Sequence, residues 1–167
     1  REDAASDAAR AQIHAISTRV DRALTRGAIE AAAALFIDFW SGDGAWKSMP
    51  QSRRDGVRAR IEKVRADFEA LFTEQITLAE LRRLHVPVLC LSGKRSPAVA
   101  RRVADLLTST LPDVRSRRFV QAGHMGPVTD ADAVNESIVE FFRFLSRRES
   151  ERTLHAPDSV PLRARAA

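Results

Sequence analysis

In the stretch RFVQAGHMGPVTDADAVNESIVEFFRFL one histidine, His124, stands between Gly123 and the pair Met125-Gly126. An imidazole titrates near neutral pH, so it can take a proton from a reacting group and return it. The flanking glycines leave the ring sterically unencumbered. An apolar run precedes it and a helical pattern follows, which puts His124 at the carboxyl end of a strand, where open α/β sheets bind ligands. A loop histidine that only caps a helix or bonds a carbonyl is the plainer alternative. Two further side chains are candidates for contact with a substrate. Trp46, in the segment after GDG, is placed in a loop and could touch a ligand; Met125 could line an apolar pocket or fill space beneath the last helix. Phe36, Phe39, Trp40 and Trp46 could roof a cleft, and Phe36 and Phe39 read first as helix packing. Cys90, the only cysteine, lies in VPVLCL and reads as a small buried hydrophobe, so no internal disulfide is possible. No metal or cofactor is expected. GDGAW lacks the lysine and the strand-loop-helix setting of a phosphate cradle.

These side chains need elements to position them. Ile13, Ile16, Val20 and Leu24 recur at helical spacing, and Gly27 supplies a stop. A second helix is predicted through AIEAAAALFIDFW, broken by SGDG, with WKSMPQS as a loop. A third carries Val57, Ile61, Val64, Phe68 and Leu71 on one face, with Ser52 and Asp55 as a weak capping box. TLAE, from Thr77 to Glu80, is a better box and opens a short helix. At His85 the pattern changes. HVPVLCLSG is a short continuous apolar run, as in a parallel strand buried on both faces. SPAVARRVADLLTSTLP follows as a helix with Ser96 as N-cap, Pro97 in the first turn, and Val99, Val103, Leu106 and Leu107 facing inward. RSRRFVQAG is a second, more peripheral strand. Thr129 or Asp130 caps a last helix with Val134, Ile138, Phe141 and Leu145 inward.

The expected fold class is therefore α/β: about two parallel strands with flanking helices, preceded by a mainly helical region. Residues 1–80 form the helical part, 81–147 the α/β part, and 148–167 a disordered basic tail. Two strands cannot bury both sheet faces and protect both edges. The sheet calls for a core segment preceding Arg1, or for a partner subunit.

The ordered set Gly93, Leu111-Pro112, Gly123-His124 and the helix after Thr129 resembles the C-terminal end of the α/β-hydrolase fold family, over residues 85–146. The first half resembles the helical cap that many members insert before the penultimate strand. The resemblance implies that His124 is a catalytic base serving a nucleophile on a G-x-S-x-G elbow, which precedes the cap in chain order. No G-x-S-x-G occurs here. Ser92 lies within a strand, Ser41 follows a helix, and Ser96 is explained as a cap. GKRSP, where the family often keeps its acid, has no carboxylate. Asp113 lies at the opposite end of the sheet, and Asp130 and Asp132 read as helix-start charges.

Composition narrows the partners. Over 167 residues the net charge is +5, almost all from arginine. The arginines alternate with acids along helical faces and tyrosine is absent, which argues against nucleic acid as the main partner. No window has the apolar length of a membrane span, and the start does not resemble a signal peptide, so a cytoplasmic setting is expected. The reading that results is hydrolysis of an ester- or amide-type bond in a small apolar substrate, with His124 as base and then acid. This chain alone would be inactive. The alternative is a catalytically silent fragment or interaction module.

Overall fold

The computed structural model describes residues 3–154. Helix α1 (Ala4–Thr25) starts where the Asp3 carboxylate accepts the Ser6 backbone N–H at 2.9 Å, satisfying a donor that the first helical turn leaves free. It turns back through Gly27, whose φ of 69° is a left-handed conformation that side-chain-bearing residues avoid. Helix α2 (Ile29–Ser41) then lies against it. Three helices follow: α3 (Ala45–Ser48), α4 (Gln51–Arg58) and α5 (Lys63–Thr73). Ile13, Ile16, Val20 and Leu24 of α1 close on Ala32, Ala33, Trp46, Ile61, Val64 and Phe68 to form the core of this helical part.

The short helix α6 (Leu78–Leu81) carries the capping box expected at Thr77 and Glu80, with both reciprocal hydrogen bonds present. Strands β1 (Val88–Gly93) and β2 (Val114–Phe119) pair in parallel, from Val88 opposite Val114 to Gly93 opposite Phe119. Helix α7 (Ala98–Thr110) connects them. A single turn, α8 (Gly126–Thr129), and the long helix α9 (Ala131–Leu154) complete the described chain. Helices on a parallel pair, after a helical first half, are the coarse architecture that the periodicities dictate.

The two parts are tied by specific bonds between α1 and α7. The Val99 backbone N–H donates to the Gln12 side-chain oxygen at 3.1 Å. Arg102 donates to Ser6 Oγ and pairs with Asp3.

Several local expectations are corrected. WKSMPQS is not a loop: α3 and α4 occupy most of it, Ser52 lies inside α4, and Pro50 stands at its N-cap with no side-chain bond. The third helix is not continuous, because the chain breaks between α4 and α5 and uses Ile61, 1% exposed, to plug the core from the break. Ser96 does not cap α7; Pro97 takes that place and supplies no capping oxygen. β1 is half-buried along most of its length rather than enclosed on both faces, because β2 is its only strand neighbour among the described residues. Val103, expected inward, is 50% exposed. Helix α9 runs past Arg147 to Leu154, so the tail boundary moves, and residues 155–167 lie outside those described.

Candidate functional site

The loop carrying His124 is built by the ends of both strands. Lys94 N–H donates to the Phe119 carbonyl at 2.8 Å and Arg95 N–H to the Ala122 carbonyl at 3.0 Å. Gly93 sits directly against this loop: a Cβ there would lie 2.5 Å from the Gly123 carbonyl oxygen and closer still to that of Ala122. Only a residue without a side chain admits that approach. Gly126 N–H then returns to the Gly123 carbonyl at 3.2 Å and starts α8. His124 is thereby fixed at the carboxyl end of the parallel strands.

The imidazole lies against the indole of Trp40, near the end of α2, with ring centroids 4.4 Å apart and planes 35° apart. Trp40 is in turn held edge-on by Phe39 and Phe36. The histidine remains solvent-accessible, yet partial burial lowers its pKa from the ordinary value near 6.5. The cause is desolvation, which disfavours the charged imidazolium. A neutral ring at pH 7 is the form that accepts a proton.

This shift has a sign that can be checked. Folded His124 binds its proton more weakly than the unfolded chain does. Its contribution to stability is therefore fully present above the unfolded pKa and is lost as pH falls through the lower folded value. Trp40→Ala removes the indole cover, so the His124 pKa is expected to rise toward 6.5. An NMR titration of the imidazole C–H signals reads this directly. An unchanged midpoint would show that Trp40 does not desolvate the ring.

His124 and Trp40 border a cavity of about 740 Å³ between the helical part and the α/β part. Its walls come from α1 (Ile13, His14), the end of α5 (Leu71, Phe72), one face of α7 and the C-terminal half of β1. Val103 and Leu71 are exposed because they face this space and not a closed core. Cys90, Leu91, Ser92 and Gly93 all line it. Successive strand residues point to opposite faces, so the cavity is not confined to one face and reaches the strand's unpaired edge.

The structure brings the other expected residues together only in part. Trp46 is not in a loop and does not meet His124. It is buried on α3, where its indole N–H donates to Glu30 at 2.9 Å and its backbone N–H to Asp38 at 2.7 Å. It borders a different cavity, of about 770 Å³, together with Glu30, Arg54 and Arg58. Met125 is 39% exposed and is absent from the wall of the His124 cavity. Trp40, one of the aromatic residues expected to roof a cleft, meets His124, whereas Arg10 and His14 hold positions that sequence reasoning did not assign. Arg10 and His14 are separated by one helical turn, at the margin of the α1 apolar face.

No partner for the base is evident among the described residues. Asp113 pairs with Arg148, and Asp130 accepts from the Thr129 hydroxyl. The Cys90 thiol is pushed up by burial, which leaves it little thiolate character. Ser92 is held in the regular ladder opposite Arg118, without the strained strand-to-helix turn that activates a nucleophilic serine. Among the described residues no group of three or more His, Cys, Asp or Glu could hold a metal ion, and no helix is long and apolar enough to cross a membrane.

Fold and site define a helical layer closed over a small parallel α/β unit, with an imidazole at the strand ends and an apolar cavity between the layers. Comparison with family models, curated proteins and solved structures returned no match.

Proposed function

We propose that this chain carries the cap and the base-bearing end of an α/β-hydrolase-type site for a small, mostly apolar ester or amide. His124 takes the proton from a nucleophile as that group attacks the carbonyl carbon, then delivers it to the departing alcohol or amine. In the second half-reaction it takes a proton from water as that water attacks the acyl carbon, then returns the proton to the nucleophile as the acyl bond to it breaks. The nucleophile reaches the cavity from a segment preceding Arg1. The observation that carries the reading is the neutral-biased imidazole, held at the strand ends against Trp40, on the wall of an apolar cavity. The unpaired edge of β1 on the same cavity supports it, since an additional strand there would end beside His124.

The test is hydrolysis of p-nitrophenyl esters by the chain alone and by the chain extended with the coding sequence upstream of Arg1. The chain alone is expected to be inactive. The longer product is expected to turn over, and His124→Ala to abolish the turnover. Activity that survives the substitution overturns the reading, as does an upstream frame with no nucleophile elbow.

One observation favours a second reading, a catalytically silent interaction module. Ile76 and Val128, each 61% exposed, and Phe142, 62% exposed, are large apolar side chains facing solvent. Large apolar side chains left in solvent give a protein partner surface to bury. This reading predicts no turnover from either product.

A further inference from the structure

Two serines are buried among the described residues, Ser96 at 5% exposed and Ser137 at 4%. Ser137 is engaged on both sides: its hydroxyl donates to the Ala133 carbonyl at 2.8 Å and accepts from Arg117 at 2.9 Å. Ser96 has its backbone held in the same way. Its N–H donates to the Gly93 carbonyl at 3.1 Å, and its own carbonyl accepts from Arg101 at 2.6 Å. Its hydroxyl, however, makes no hydrogen bond with any described residue, and it does not cap α7, where Pro97 stands. No fully enclosed side-chain oxygen among the described residues lacks a partner, so this one has an opening, and Ser96 lines the His124 cavity. The other hydrogen-bonding side chains on that wall are exposed or half-buried.

Ser96 stands at the same end of the cavity as His124. Gly93 abuts the Ala122 and Gly123 carbonyls, and Arg95 N–H donates to the Ala122 carbonyl, so the turn after β1 and the His124 loop adjoin. We infer that the Ser96 hydroxyl is the polar anchor of this cavity, donating to the carbonyl oxygen of an otherwise apolar ligand. A hydroxyl withdrawn from water and left unpaired carries a free-energy penalty, and a ligand oxygen that pairs with it removes that penalty. Sites for small molecules combine apolar walls with a few fixed polar groups that set the ligand's orientation. Here the backbone bonds to Gly93 and Arg101 fix the anchor before any ligand arrives. A ligand so held keeps its carbonyl at the His124 end and lays its apolar body along the rest of the wall. The inference rests on reading this cavity as the substrate site, and it names the group that binds the carbonyl oxygen of the ester or amide.

The test is titration of the chain with acetophenone and with α-methylstyrene, followed by backbone amide NMR shifts. The second ligand has a methylene group in place of the carbonyl oxygen and nearly the same shape. Both are expected to bind and to move the amide signals of β1 and the His124 loop. Ser96→Ala should weaken acetophenone about fivefold, the worth of one neutral hydrogen bond, and leave α-methylstyrene bound as tightly or more so. Ser96→Cys, close in size but a weak donor, should give acetophenone an intermediate affinity. An acetophenone affinity that Ser96→Ala leaves unchanged overturns the assignment and shows the hydroxyl to be merely hydrated. Equal weakening of both ligands overturns it too, because the substitution then acts on the shape of the cavity and not on a hydrogen bond. Either result leaves the cavity standing as a binding site. If neither ligand binds the unaltered chain, the substrate-site reading fails and this inference with it.

Discussion

Ile61→Ala is expected to remove about 2–5 kcal/mol of folding stability, the range for truncating a large aliphatic side chain in a core. Ile61 is 1% exposed and belongs to the cluster formed by α1, α2 and α5. It lies in the short break between α4 and α5, so it fills a space that no neighbouring helix can close by sliding. The truncation leaves a cavity as well as losing transfer free energy. Urea unfolding followed by circular dichroism measures the effect, and the midpoint should fall with the slope preserved. Phe142→Ala is the internal comparison. Phe142 is 62% exposed, and its loss should change stability by only about 0.5 kcal/mol or less. Equal effects from the two substitutions would mean that the core is not where the structure puts it.

Gly93→Ala is expected to cost about 1–3 kcal/mol, the usual range for forcing extra atoms into a filled space. The mechanism differs from that of Ile61. The new methyl group meets the backbone carbonyls of Ala122 and Gly123, which cannot swing aside as a flexible side chain would. The strand end and the His124 loop must separate. The hydrogen bonds from Lys94 and Arg95 into that loop should then weaken, and His124 should withdraw from Trp40. Two readouts follow: a lower unfolding midpoint and a His124 pKa that rises toward its ordinary value as the ring becomes hydrated. Loss of stability without a change in His124 titration would show that the loop keeps its place by other contacts.

Much of the fold was legible along the chain. Ile13, Ile16, Val20 and Leu24 repeat at helical spacing and are buried as that spacing requires. Thr77 and Glu80 form their box because its bonds are local, closing within one turn. The apolar run from Val88 to Gly93 is a strand, and its parallel partner follows from the helix between them. The misreadings share a cause. Ser52 and Ser96 each offered a capping oxygen, but Pro50 and Pro97 stand at the N-caps instead. Val103 and Leu71 have the spacing of core residues and instead face a cavity, because periodicity reports which face is apolar and not what lies opposite it.

The candidate site divides along the same line. His124, its glycine neighbours and its position after a strand are local facts, and the residue types alone placed an imidazole at the strand ends. Its environment was not local. Trp40 lies far from His124 along the chain and reaches it only because α1 carries the helical layer back over β1 and α7. Trp46 looked the better ligand contact from its glycine-rich surroundings, yet Glu30 and Asp38 bind both its N–H groups and hold it in the core. Burial, desolvation and the walls of a cavity arise from elements packed across large sequence distances, and no window of sequence contains them. Sequence by itself determined the longer helices, the parallel pair and the histidine. Only the tertiary structure decided which aromatic ring covers that histidine, and that α1, α5 and α7 enclose a cavity beside it.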